Sequence, residues 1–107
     1  MHAWVLLGLA GLAEIVWVIA LKYSEGFTRP VASAVTVVSL AVSMLLLGWA
    51  VKTLPIGTAY AVWTGIGAAG AAMAGLYLFG ESANPARLLC IGLVIVGVVG
   101  LKLSTPG

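Results

Sequence analysis

The chain has 107 residues, of which 63% are hydrophobic and 7% charged, with a formal net charge of +2 at pH 7. A soluble domain averages about 45–50% apolar and about 25% charged residues, so this make-up lacks the polar surface to dissolve as a globule and is expected in a membrane. The five basic residues are few and scattered, which argues against nucleic acid as a partner, and a single cysteine, Cys90, excludes a disulfide framework within the chain.

A spanning helix needs roughly 20 mainly apolar residues, and the first candidate is Ala3–Leu21. It lacks a basic leading region and no polar domain follows it, so it is expected to be a retained span rather than a signal peptide. Its only ionisable group is Glu14. An acid near the bilayer centre costs about 2.5–3.5 kcal/mol on insertion scales. The only basic residue within the spans is Lys102, at the very end of the fourth, so no basic partner at the depth of Glu14 offers a permanent ion pair. Two readings remain: a neutral carboxylic acid hydrogen-bonded to a neighbouring helix, or a functional acid. Desolvation penalises the charged form, so such a group is expected to hold a proton near physiological pH and to exchange it for another cation. Gly11 and Trp17 stand one helical turn either side of it. Glycine leaves room beside the carboxylate; Trp17 offers an indole donor and an aromatic wall, or simply packs the bundle.

The second span, Val31–Val51, follows the polar stretch KYSEGFTRP. Ser33, Thr36, Ser39 and Ser43 recur along one side of it. Each can bond back to its own helix, while Ser43 lies at a depth from which Glu14 of an antiparallel neighbour is within reach. The third span, Gly57–Phe79, carries Tyr60 and Trp63 one turn apart and deep in the apolar zone. They either pack the bundle or flank a cation with ring faces and a phenol hydroxyl. Gly65 and Gly67 provide a helix bend or a close packing contact. Gly67, Ala71 and Gly75 share a face, which serves packing within the subunit or between subunits.

The fourth span, Leu88–Leu103, is short, and is expected to rely on helix partners and on snorkelling by Arg87 and Lys102. Gly92, Gly97 and Gly100 offer close backbone approach for dimer packing, without a clean GxxxG spacing. Pro30, Pro55 and Pro85 stand near span starts, where a missing N–H does least harm. The fold class is therefore all-α membrane protein: one domain, residues 1–107, of four transmembrane helices running up and down.

With the N-terminus inside, Lys52 and Lys102 fall inside and Lys22, Arg29 and Arg87 outside. Positive charge normally sets orientation, and here it barely differs between the two sides. The chain is expected to insert both ways round and to form an antiparallel, dual-topology homodimer; the alternative is a single orientation imposed by the insertion machinery. In such a dimer two copies of Glu14 titrate together. His2 is near the terminus, Cys90 has no partner, and no catalytic triad or metal-ligand spacing is present, so neither an enzyme nor a cofactor is expected.

The stretches AEIVWVIALKYSEGFTRP, LPIGTAYAVWTGIGA and GESANPARL resemble the small multidrug resistance family, over nearly the whole chain. That resemblance implies a four-helix, proton-coupled exporter of the bacterial inner membrane, acting as an antiparallel dual-topology homodimer. Trp17 three residues after the membrane glutamate, together with ALKYS and GTAYAVWTGIGA, resembles the guanidinium-exporter branch. It implies export of guanidinium for protons, with tolerance of singly substituted guanidinyls and small quaternary ammonium ions. By matching position, Glu14 resembles the shared proton and substrate carboxylate, and Trp17 and Ser43 the residues that hold it. Tyr60 is similar to the tyrosine that gates the site, Trp63 to its aromatic wall, Gly11 to the small residue beside the carboxylate, and Gly65 and Gly67 to the helix bend. The rivals are a broad quaternary-ammonium exporter using the same glutamate and, in another class, a small structural subunit of a membrane complex.

Overall fold

The computed structural model describes residues 2–105, which form four α-helices: α1 (Ala3–Tyr23), α2 (Pro30–Ala50), α3 (Ile56–Leu78) and α4 (Pro85–Ser104). All four are long and apolar enough to cross a membrane. At a rise of about 1.5 Å per residue they match a hydrocarbon core about 30 Å thick. Polar backbone groups at the ends are met locally. Asn84 caps α4 by accepting the Arg87 amide at 2.8 Å, with Pro85 in the first turn. Past the end of α3 the amides of Phe79 and Glu81 both donate to the Gly75 carbonyl at 3.1 Å, a wrap that the left-handed Gly80 (φ 63°) permits.

The helices lie side by side in the order α2, α1, α3, α4. Their short connections make sequential neighbours antiparallel, yet α1 also packs along α3 and so holds the middle of the bundle. The apolar core is concentrated at one end, where Leu7 and Ala10 of α1 meet Leu47 and Ala50 of α2, Leu54, and Ala59, Val62 and Trp63 of α3. Large apolar side chains are exposed on every helix, among them Leu12, Leu45, Tyr77 and Leu103. In water these would form an aggregating surface; facing lipid tails they cost nothing, because lipid is as apolar as they are.

Helix α4 is set apart from the rest. Among the described residues its backbone packs along α3, and none of its own residues is buried. Among these residues nothing lies within 4 Å of the Cβ position of Gly92, Gly97 or Gly100. At its far end Lys102 reaches Trp4, its ammonium 5.0 Å from the ring centroid.

Candidate functional site

Glu14 lies near the middle of α1, and its carboxyl group rests against the Cα of Gly67 on α3: a methyl group built there would overlap the Glu14 carboxyl carbon and oxygen. Only a glycine accepts the acid at this depth. The face formed by Gly67, Ala71 and Gly75 thus turns inward, Gly67 toward Glu14 and Gly75 toward Glu81, while Ala71 borders a cavity shared with Val18 and Ile19 of α1. Of the two roles open for this face, packing within the subunit is the one the structure adopts.

Three acids are present in the chain, and their surroundings separate them. Glu25 pairs with Arg29 at 2.5 Å and Glu81 pairs with Arg87, both near the ends of the bundle and partly exposed. The hydrogen bond and charge of Glu25 hold the Arg29 guanidinium above its ordinary range. Glu14 has no ion pair among the described residues, and its Oε2 is buried without a hydrogen-bond partner. One turn further along α1, the indole Nε1 of Trp17 is likewise buried and unpartnered. A buried acceptor and a buried donor one turn apart on α1 can together bind a group that both gives and takes hydrogen bonds.

The other anticipated residues fall into a second group. Ser43 is fully buried; its hydroxyl donates to the Ala10 carbonyl at 2.7 Å and accepts the Trp63 indole N–H at 2.8 Å. This chain of bonds ties α3 to α2 to α1. The i→i−4 ladder of α1 gives the same Ala10 carbonyl the amide of Glu14, so the tie ends on the turn that carries the acid. A hydroxyl has one proton to donate, and Ser43 spends it on α1 backbone rather than on the Glu14 carboxylate. Tyr60 is 55% exposed and leans on Trp63, ring centroids 5.7 Å apart, away from any bond to Glu14.

The glycines also find particular occupants. Gly11 is filled by Ile66 of α3 rather than left open beside the acid. Gly65 receives Val98 of α4, and α3 remains continuous α-helix through Gly65 and Gly67. Gly70, unremarked in the sequence, accepts Ile15. Ala10 was equally silent: a backbone carbonyl that anchors Ser43 leaves no signature in its side chain. Among the other hydroxyls, Ser33 and Thr36 bond back to Arg29 and Ala32 of their own helix region.

The arrangement is thus a single unpaired acid seated on glycine, flanked by an unused indole donor, on a helix fixed from behind by a buried Ser–Trp tie. No cluster of ligands suited to a metal occurs among the described residues. Comparison with known proteins adds an independent finding. The family model described as Small Multidrug Resistance protein matches residues 2–94. A protein of Citrobacter freundii named guanidinium exporter is 59% identical over 103 residues, covering 96% of this chain and 98% of its own. Proteins of the same name from Salmonella typhimurium strain LT2 and Escherichia coli K12 are each 58% identical, over 95% and 96% of this chain and 97% and 98% of their own.

Proposed function

The chain belongs to the small multidrug resistance family, and on that premise we propose that it exports guanidinium ion in exchange for protons, with Glu14 binding either. The relatives named guanidinium exporters, similar over nearly their whole length, support the substrate. The four apolar helices and the bacterial exporter relatives identify a multi-pass protein of the bacterial inner membrane.

The observation that carries the site is the isolation of Glu14: mid-span, seated on Gly67, with a buried Oε2 that no group among the described residues satisfies. A carboxylate in that setting binds one positive partner at a time. A proton neutralises it; guanidinium neutralises it equally and adds a planar pair of donors that match two carboxylate oxygens. Guanidinium is weakly hydrated for a cation, which lowers the cost of drawing it into a dry site. Loading one ligand expels the other, and that exclusion couples substrate movement to the proton gradient. Trp17 narrows the space beside the carboxylate and favours small flat cations over large aromatic ones. Small substituted guanidinyl and quaternary ammonium ions are secondary substrates on this reading.

One chain gives the acid but does not enclose it. The homodimer supplies the rest: α4 offers its open glycine face around Gly92 and Gly97, and the exposed Tyr60 is free to reach the site formed with a second copy. Near-equal basic charge on the two sets of loops favours insertion both ways round, and an antiparallel pair turns the opening of one end into the mirror of opening the other.

The test is proton release. Guanidinium added to weakly buffered, purified protein acidifies the solution, and Glu14→Gln gives no acidification and no transport in liposomes. Acidification or gradient-driven guanidinium movement persisting in Glu14→Gln overturns the reading.

A further inference from the structure

Where α1 gives way to α2, the chain forms a tight turn of unusual geometry. Glu25, Gly26 and Phe27 all have positive φ (49°, 74° and 65°). For Glu25 and Phe27 this backbone state is strained, and it persists only where its surroundings over-determine it. Ser24 does so. It is fully buried, its hydroxyl donates to the Leu21 carbonyl at 2.7 Å and accepts the Phe27 amide at 3.2 Å, and its carbonyl takes the amides of Thr28 and Arg29 at 2.9 and 3.1 Å. Strain held this firmly points to something the turn must position.

What it positions is a cavity of about 680 Å³, lined by Lys22, Tyr23, Glu25, Arg29, Pro30, Val31, Ala32 and Phe79. Its composition is divided. Tyr23, Val31, Ala32 and Phe79 give it apolar and aromatic walls, while Lys22 and Arg29 stand at the ends of the two helices. Both cations have capacity to spare. Arg29 uses Nε for Glu25, and its terminal amino groups have no hydrogen bond among the described residues. Lys22 has no ion pair among the described residues; its ammonium lies 5.9 Å from the centroid of the Phe79 ring. The first turn of α2 opens on the same space, and its N-terminus has no side-chain cap.

We propose that this cavity holds an anionic phospholipid, its phosphate between Lys22 and Arg29 and one acyl chain along the exposed Val31 and Val35 of α2. Since α1 and α2 cross the membrane, their junction lies at headgroup depth, where phosphodiester and hydrocarbon meet. Two cations around one partly offset carboxylate leave a net positive pocket, and a cation near an anionic headgroup changes affinity about fivefold. The inference needs the membrane location and not the export reading, and its test uses no substrate.

Full-length protein is mixed with equimolar phosphatidylglycerol and phosphatidylcholine of identical chains and examined by native mass spectrometry. Wild type retains phosphatidylglycerol over phosphatidylcholine by about fivefold or more. Lys22→Gln with Arg29→Gln brings that preference close to unity, whereas Lys52→Gln with Lys102→Gln, at the opposite end of the bundle, keeps it. Glu25→Gln removes the opposing carboxylate and raises the preference. Inorganic phosphate at millimolar concentration leaves lipid retention unchanged. Equal retention of the two lipids by wild type, a preference surviving the loss of Lys22 and Arg29, or displacement of the lipid by inorganic phosphate each overturns the proposal.

Discussion

The indole N–H of Trp63 donates to the hydroxyl of Ser43 across 2.8 Å, with both residues buried and 20 positions apart in sequence. The bond joins α3 to α2, and the onward bond from Ser43 to the Ala10 carbonyl carries the tie into α1. It is a fixed strut behind the helix that bears Glu14.

Cutting the strut has a measurable cost. Interhelical hydrogen bonds in membranes contribute about 0.6 kcal/mol on average and up to about 1.7. A double-mutant cycle of Ser43→Ala and Trp63→Phe, read by thermal unfolding in detergent, is expected to return a coupling in that range. Additive single effects would show that the bond contributes nothing.

Gly67 admits no larger residue while Glu14 keeps its place. Gly67→Ala puts a methyl group where the carboxyl now rests, so guanidinium-induced proton release falls at least about tenfold, the equivalent of roughly 1.4 kcal/mol against the seated acid. Gly8→Ala, where nothing lies within 4 Å of the new methyl, leaves release at the wild-type level. Equal behaviour of the two variants would remove the glycine seat.

The glycines of α4 test the proposed dimer. Gly92 and Gly97 have open space around them within one chain, so Gly92→Leu and Gly97→Leu leave the monomer's own packing intact. Crosslinking and light scattering are expected to show loss of the dimer. A dimer that tolerates both leucines uses another face.

On the proposed reading Trp17 sets the size of the cation. Trp17→Ala opens the wall beside Glu14; competition assays in liposomes are expected to show weaker guanidinium exchange and new uptake of large aromatic cations. Trp17→Phe keeps the wall but lacks the indole donor, so it retains the size limit with lowered guanidinium affinity. An unchanged substrate order in Trp17→Ala would assign selectivity elsewhere.

Orientation is tested by a reporter on the C-terminus, which is expected on both faces of the membrane. Adding lysines to the connections that hold Lys22, Arg29 and Arg87 should freeze one orientation. A reporter confined to one face in the unmodified chain would leave the antiparallel pair without its partners.

The four helices were legible because membrane spans are written in runs of about 20 apolar residues, a signal that needs no tertiary context. The mid-span acid was legible for the same reason: Glu14 violates the run it sits in. Partners were harder to read. Ser33, Thr36 and Ser43 look alike along α2, yet the first two bond back locally and only Ser43 reaches Ala10 and Trp63. Which hydroxyl crosses depends on how α2 is rotated against α1, and a helix apolar on nearly every side leaves that rotation unmarked. The same ambiguity hid the seat of the acid. Gly11 is a turn from Glu14 on its own helix but houses Ile66, whereas Gly67, which reads as a bend or a packing contact, receives the carboxyl.

That seat has a consequence for how such chains can be recombined. The acid is inherited with the first half of the chain and its bare backbone rest with the second, so the two halves form a compatibility pair. A chimera joining this first half to a second half with alanine at position 67 would keep the ionisable group and displace it, whereas splices that keep glycine there remain candidates for exchange.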